Sequence, residues 1–123
     1  MLEKNNTNLN NTKQIDMFLN CTLSKLGLNY ANLGTRYLRE IVKLAYFNNL
    51  NDVKYKELCI IASNNLNIST KKIDSNIYNT INVININLAR KNFKDIFGID
   101  FDYFYISPKK LTILLLTLLY NTF

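Results

Sequence analysis

Glycine and proline, the strongest chain breakers, are almost absent from this chain: Gly27, Gly34 and Gly98 are its only glycines and Pro108 its only proline. A sandwich or barrel of 123 residues needs a turn signal roughly every ten positions. So few breakers leave long uninterrupted elements, and helices are what such a chain can build. Hydrophobic residues at 48% supply enough apolar surface to offset chain entropy, and the length suits one domain around one core. The expected fold class is all-α, with about six helices.

The elements follow from spacing. Residues 1–12 are polar and asparagine-rich with little to bury, so they read as a flexible tail, with the folded domain at 13–123. In KQIDMFLNCTLSKL, Ile15, Phe18, Leu19, Leu23 and Leu26 recur at helical spacing, and Gly27 is placed to end the helix. In TRYLREIVKLAYF, Tyr37, Leu38, Ile41, Val42, Leu44 and Ala45 form one broad apolar face. Asp52 is the expected N-cap of a third helix, DVKYKELCIIASNNL, whose core stripe is Val53, Leu58, Ile61, Ala62 and Leu66. Ser69 or Thr70 caps a fourth, within ISTKKIDSNIYNTINVININLARK, where Ile73, Ile77, Ile81, Ile84 and Leu88 fall on one side. A short helix, ARKNFKDIF, runs to Gly98. The aromatic stretch IDFDYFYIS reads as an ordered apolar loop, because a lone strand has no partner in a helical chain. The last helix is KKLTILLLTLLYNTF.

Charge and residue chemistry narrow the function. The net charge of +6 favours a polyanionic partner. Histidine is absent, which removes the usual general base and the commonest metal ligand. Cys21 and Cys59 stand alone, without the spacing of a metal or disulfide framework. No catalytic residue, metal or cofactor is therefore expected, and the protein is not read as an enzyme. The N-terminal stretch lacks the apolar run of a signal peptide, and the last helix is shorter than the roughly 18 apolar residues a membrane span needs. A cytoplasmic protein without membrane contact is expected.

Helices three and four, joined by the short NLNIST connection, have the size and order of a helix-turn-helix. The stretch LGLNYANLGTRYLREIVKLAY adds Leu26, Gly27, Gly34, Tyr37, Leu38, Arg39, Glu40, Lys43, Leu44 and Tyr46 at the spacing of a known family. After a one-residue deletion Glu57 and Leu58 also fit, and Ile73, Ile77, Ile81, Phe97, Gly98 and Pro108 keep register. In these positions the chain resembles the C-terminal effector domain of the stage zero sporulation protein A family, the response regulators that start endospore formation in low-GC Gram-positive bacteria. The resemblance covers residues 13–123. It implies a helical domain of the response-regulator effector class whose third and fourth helices enter the major groove.

The departures shape the expected chemistry. The family has a proline, a histidine and a lysine where this chain has Asn29, Ala31 and Leu33. In the recognition helix it has arginines where this chain has Lys72, Ser75 and Tyr78, and a glutamate where it has Asp74. Serine and tyrosine cannot reproduce the bidentate fork of an arginine on guanine or phosphate. Altered operator specificity follows. The candidate DNA-binding residues are Lys71, Lys72, Asp74, Ser75, Tyr78, Asn79 and Asn82: the lysines on phosphate, and the asparagines on adenine edges of an AT-rich duplex. Asparagine occurs 21 times in the chain, so its presence on a surface is weakly informative. Arg36, Lys54 and Lys56 are candidates for further phosphate contacts, while Arg39 suits an internal ion pair.

Family members carry a receiver domain ahead of the effector domain, and here only a polar stretch precedes it. The expectation is a stand-alone transcriptional regulator linked to sporulation or stationary-phase control. The alternative is an interaction module that no longer binds DNA and modulates another sporulation regulator by hetero-association. Leucines surround most of the last helix, so Leu111, Leu115, Leu116 and Leu119 are the expected interface of a homodimer that sets two helix-turn-helix units on adjacent half-sites. The competing arrangement is a central helix sheathed by residues 101–106 and helices one and two.

Overall fold

The computed structural model describes residues 2–102 and 106–123, with side chains from Asn11 onward. Six α-helices follow one another among the described residues: α1 (Leu2–Lys25), α2 (Leu33–Phe47), α3 (Tyr55–Leu66), α4 (Thr70–Asn82), α5 (Ile86–Phe97) and α6 (Pro108–Thr122). No strand occurs among the described residues, in agreement with the all-α expectation. Tyr103, Phe104 and Tyr105, the middle of the expected apolar loop, lie outside the described residues. No helix among the described residues is long and apolar enough to cross a membrane.

α1 begins at Leu2 rather than near Lys13, so the polar stretch read as a tail is helical. It contains no glycine or proline, and once the buried half of the helix is nucleated, each further turn adds hydrogen bonds at little cost. The helix closes as expected at Gly27. With φ at +83°, this residue lets Leu28 N–H reach Leu23 O at 2.9 Å and Gly27 N–H reach Ser24 O at 3.0 Å, the paired bonds of a Schellman motif. A Cβ there would lie 2.7 Å from the backbone oxygen of Asn85, so glycine also lets the turn between α4 and α5 close against the end of α1.

α2 is the centre of the bundle and packs on α1, α3, α4 and α6. Its Leu38, Ile41, Val42 and Ala45 are buried with Ile15, Leu19 and Leu23 of α1, Ile73, Ile77 and Ile81 of α4, and Leu111, Leu115 and Leu119 of α6. Asn32 caps α2 and ties it to α4: its Oδ1 accepts from Gly34 N–H at 2.9 Å and from Thr80 Oγ1 at 2.6 Å.

Two boundaries differ from expectation. α3 starts at Tyr55, with Lys54 rather than Asp52 at the cap position and no side-chain cap bond. Asp52 is held instead in the preceding turn, which Val53 N–H closes onto Leu50 O at 3.2 Å. The helix expected to continue through Leu88 ends at Asn82, because Asn85 starts a new one by accepting Leu88 N–H on its own Oδ1 at 3.2 Å. An asparagine at an N-cap satisfies a donor that a helix interior leaves it no use for. Ile84 is still buried, in the turn, but Leu88 lies on α5 and is 40% exposed.

α6 packs chiefly on α2, α3 and α4, and α1 meets its end, where the Phe18 ring stands edge-on to Phe123 with centroids 5.4 Å apart. Leu111, Leu115, Leu116 and Leu119 are all buried within the single chain. A homodimer interface needs side chains that are accessible before association, so these four leucines do not form one. The apolar residue that α6 leaves most open is Ile113.

Candidate nucleic-acid interface

The connection between α3 and α4 is three residues long, 67–69. Asn67 adopts the left-handed conformation at φ +55°, which asparagine tolerates better than most side chains. That turn lets Ile68 N–H reach Ser63 O at 3.2 Å, while the Ser63 hydroxyl donates to Ile68 O. Ser69, one of the two expected cap residues, then caps α4, accepting Lys72 N–H at 3.2 Å, and Thr70 is the first residue of the helix.

α4 is divided lengthwise. Ile73, Ile77 and Ile81 are buried with Thr80. On the other side, Lys71, Lys72, Asp74, Ser75, Tyr78, Asn79 and Asn82 are all exposed. The seven candidate residues therefore share one surface of one helix. Asp74 has a structural task as well: its Oδ1 accepts the Tyr55 hydroxyl at 3.0 Å and so joins α4 to α3.

A hollow of about 330 Å³ lies along this joint, lined by Tyr55, Lys56, Cys59, Ile60, Thr70, Lys71 and Asp74. Burial pushes the Tyr55 hydroxyl well above the usual tyrosine range, and its contacts with Cys59 and the Asp74 carboxylate push in the same direction. Burial also raises the Cys59 thiol; Asp74 adds to the rise and the hydrogen bond with Tyr55 opposes it. Tyr55 thus stays a donor at neutral pH, and Cys59 stays a protonated, unreactive thiol.

The outlying candidates divide. Lys56 faces the same hollow as Lys71. Lys54 lines a separate hollow with Lys109 and Ile113 of α6. Arg36 is exposed beside Leu33, Leu66 and Ile68, near the far end of α3. Arg39 is engaged internally, as expected: its Nη1 donates to Asn20 Oδ1 at 2.9 Å and its Nε lies 4.0 Å from Asp16 Oδ1. Lys43 Nζ approaches the same Asp16 oxygen at 2.8 Å, so two basic residues of α2 hold α1 rather than a ligand. The tyrosine–aspartate joint has no sequence signal because its partners are 19 positions apart, on two different helices.

No protein family model matches the chain, and no curated protein or solved structure matches it either. The resemblance noted above rests on the residues quoted for it.

Proposed function

We propose that this protein is a transcriptional regulator that binds duplex DNA, with α3 and α4 acting as a helix-turn-helix and α4 lying in the major groove. The observation that carries the reading is the outward face of α4: seven polar or aromatic side chains exposed together over a fully buried isoleucine row. A helix anchored on one side and polar along the other can enter a groove without losing its core contacts. Lys71 and Lys72 sit in the first turn, where phosphate is also favoured by the helix dipole. Asn79 and Asn82 lie farther along, with the donor and acceptor pair that matches an adenine edge. The link to sporulation or stationary-phase control comes from the resemblance.

A second reading has its own observation. The outward face of α4 carries only two cations, beside Tyr78 at 55% exposure, and an exposed aromatic is as suited to a protein partner as to DNA. In that reading the chain is an interaction module that modulates another regulator. Fluorescence anisotropy with random and AT-rich duplexes at low and moderate salt separates the two. Micromolar or tighter binding that falls steeply with salt is expected of the regulator; no binding at low salt leaves the interaction module.

A further inference from the structure

α5 carries a row of side chains that the fold does not use. Asn87, Arg90, Lys91 and Lys94 recur at i, i+3, i+4 and i+7, which at about 100° per residue confines them to one arc of the helix. All four are exposed, and they face away from Ala89 and Phe93, the buried residues of α5. Among the described residues Arg90 and Lys91 have no ion-pair partner. Lys94 meets Asp100 at 3.7 Å with both side chains largely exposed, a contact of little strength. Asp95 also lies beside the row, so three cations stand against two neighbouring carboxylates, Asp95 and Asp100. Lys25 adds a further exposed cation at the end of α1, where its backbone oxygen accepts Asn92 Nδ2 at 2.8 Å.

We propose that this row is a second contact to the phosphate backbone of duplex nucleic acid, separate from the face of α4. The choice of DNA as partner rests on the function proposed above. From Arg90 to Lys94 the three cations span about 6 Å at 1.5 Å per residue, which is close to the two steps of 3.4 Å axial rise that separate three successive phosphates of one strand. Only residues 83–85 separate α5 from α4, so the row starts no more than about 18 Å from the end of α4. That is close enough for α5 to reach the backbone beside a groove that α4 occupies. An anionic membrane surface fits less well. A helix lying in a lipid interface needs a broad free apolar face, and the apolar face of α5 is used inward, where Phe93 packs on Phe97 and Phe101 with ring centroids 4.8 and 5.3 Å apart. Ile86 and Leu88 remain exposed, but they flank the row on opposite sides and do not form one surface.

The test compares two sets of substitutions by anisotropy on a labelled random-sequence duplex across a salt series. One variant carries Arg90→Gln, Lys91→Gln and Lys94→Gln; the other carries Lys71→Gln and Lys72→Gln. Each lost phosphate contact lowers the salt slope by about 0.9, so the α5 variant should lose roughly two to three units of slope and bind about tenfold or more weakly at low salt. Its thermal midpoint should equal that of the unsubstituted protein, and Arg90→Lys should keep the slope. An α5 variant with unchanged slope and affinity, beside a weakened Lys71/Lys72 variant, overturns this proposal and leaves the α4 reading standing. Loss in the α5 variant alone supports the row and counts against α4. If the unsubstituted protein ignores duplex and instead sediments with vesicles containing phosphatidylserine, in an α5-dependent way, nucleic acid is the wrong partner. Binding to neither overturns the row and the proposed function together.

Discussion

Gly34 sits in the first turn of α2 with its α-carbon against α4, and the absence of a side chain there sets how closely the two helices approach. A Cβ at this position would collide with the Asn76 carbonyl oxygen and the Thr80 hydroxyl, the same hydroxyl that donates to the Asn32 cap. At an open helix position, replacing glycine by alanine gains about 1 kcal/mol. Here the sign should reverse, with Gly34→Ala losing about 1–3 kcal/mol because backbone has to shift to admit the methyl group. Urea denaturation checks this, and a midpoint at or above that of the unsubstituted protein would show that α2 and α4 have slack. The position was legible as a glycine worth noting, since it belongs to the stretch that carries the family resemblance. Its physical role was not legible, because the atoms it makes room for lie more than forty positions away.

The α3–α4 pair shows which features of an element a sequence displays. The buried row Ile73, Ile77 and Ile81 and the Ser69 cap were readable, because both are local and periodic. The end of α4 was misread, since apolar spacing continued past a point where Asn85 had a better use as a cap. The join between Tyr55 and Asp74 had no local signal at all, and it leads to a pH dependence. Tyr55 holds its proton more tightly folded than unfolded. Above the ordinary tyrosine pKa of about 10, the unfolded chain therefore binds fewer protons than the folded one, and stability falls as pH rises. The stabilisation is intact below that pH and is lost on the alkaline side. Tyr55→Phe should lower stability modestly at pH 7 by removing the bond to Asp74, and should flatten the alkaline decline between about pH 10 and 11. Chemical denaturation at both pH values measures the difference. Equal alkaline slopes for the two proteins would mean that the other tyrosines, and not Tyr55, govern the decline.

At the scale of the whole molecule, the arrangement of α6 decides what its leucines do. The sequence alone makes the helix look apolar on nearly every side, and a small domain seldom covers every side of its terminal helix. The fold covers more of it than expected by packing α6 chiefly against α2, α3 and α4, and neither this depth nor the choice of neighbours is encoded in the local pattern. Leu116 is 7% exposed and Ile113 53%, so substitutions at these two positions should have opposite consequences. Leu116→Glu puts a carboxylate at a 7% exposed position against Val53, Tyr55 and Leu58, and several kcal/mol of desolvation is comparable with the whole stability of a domain of this size. The variant should lose its cooperative thermal transition and not survive as a folded monomer. Ile113→Glu places the same charge in solvent and should melt within a few degrees of the unsubstituted protein. Circular dichroism on heating, with sedimentation velocity on the same samples, distinguishes the cases. A folded Leu116→Glu variant with a smaller sedimentation coefficient would return the buried leucines to an interface between two chains. If Ile113→Glu alone changes the sedimentation coefficient, any self-association runs through the outer side of α6, leaving its leucines to the core.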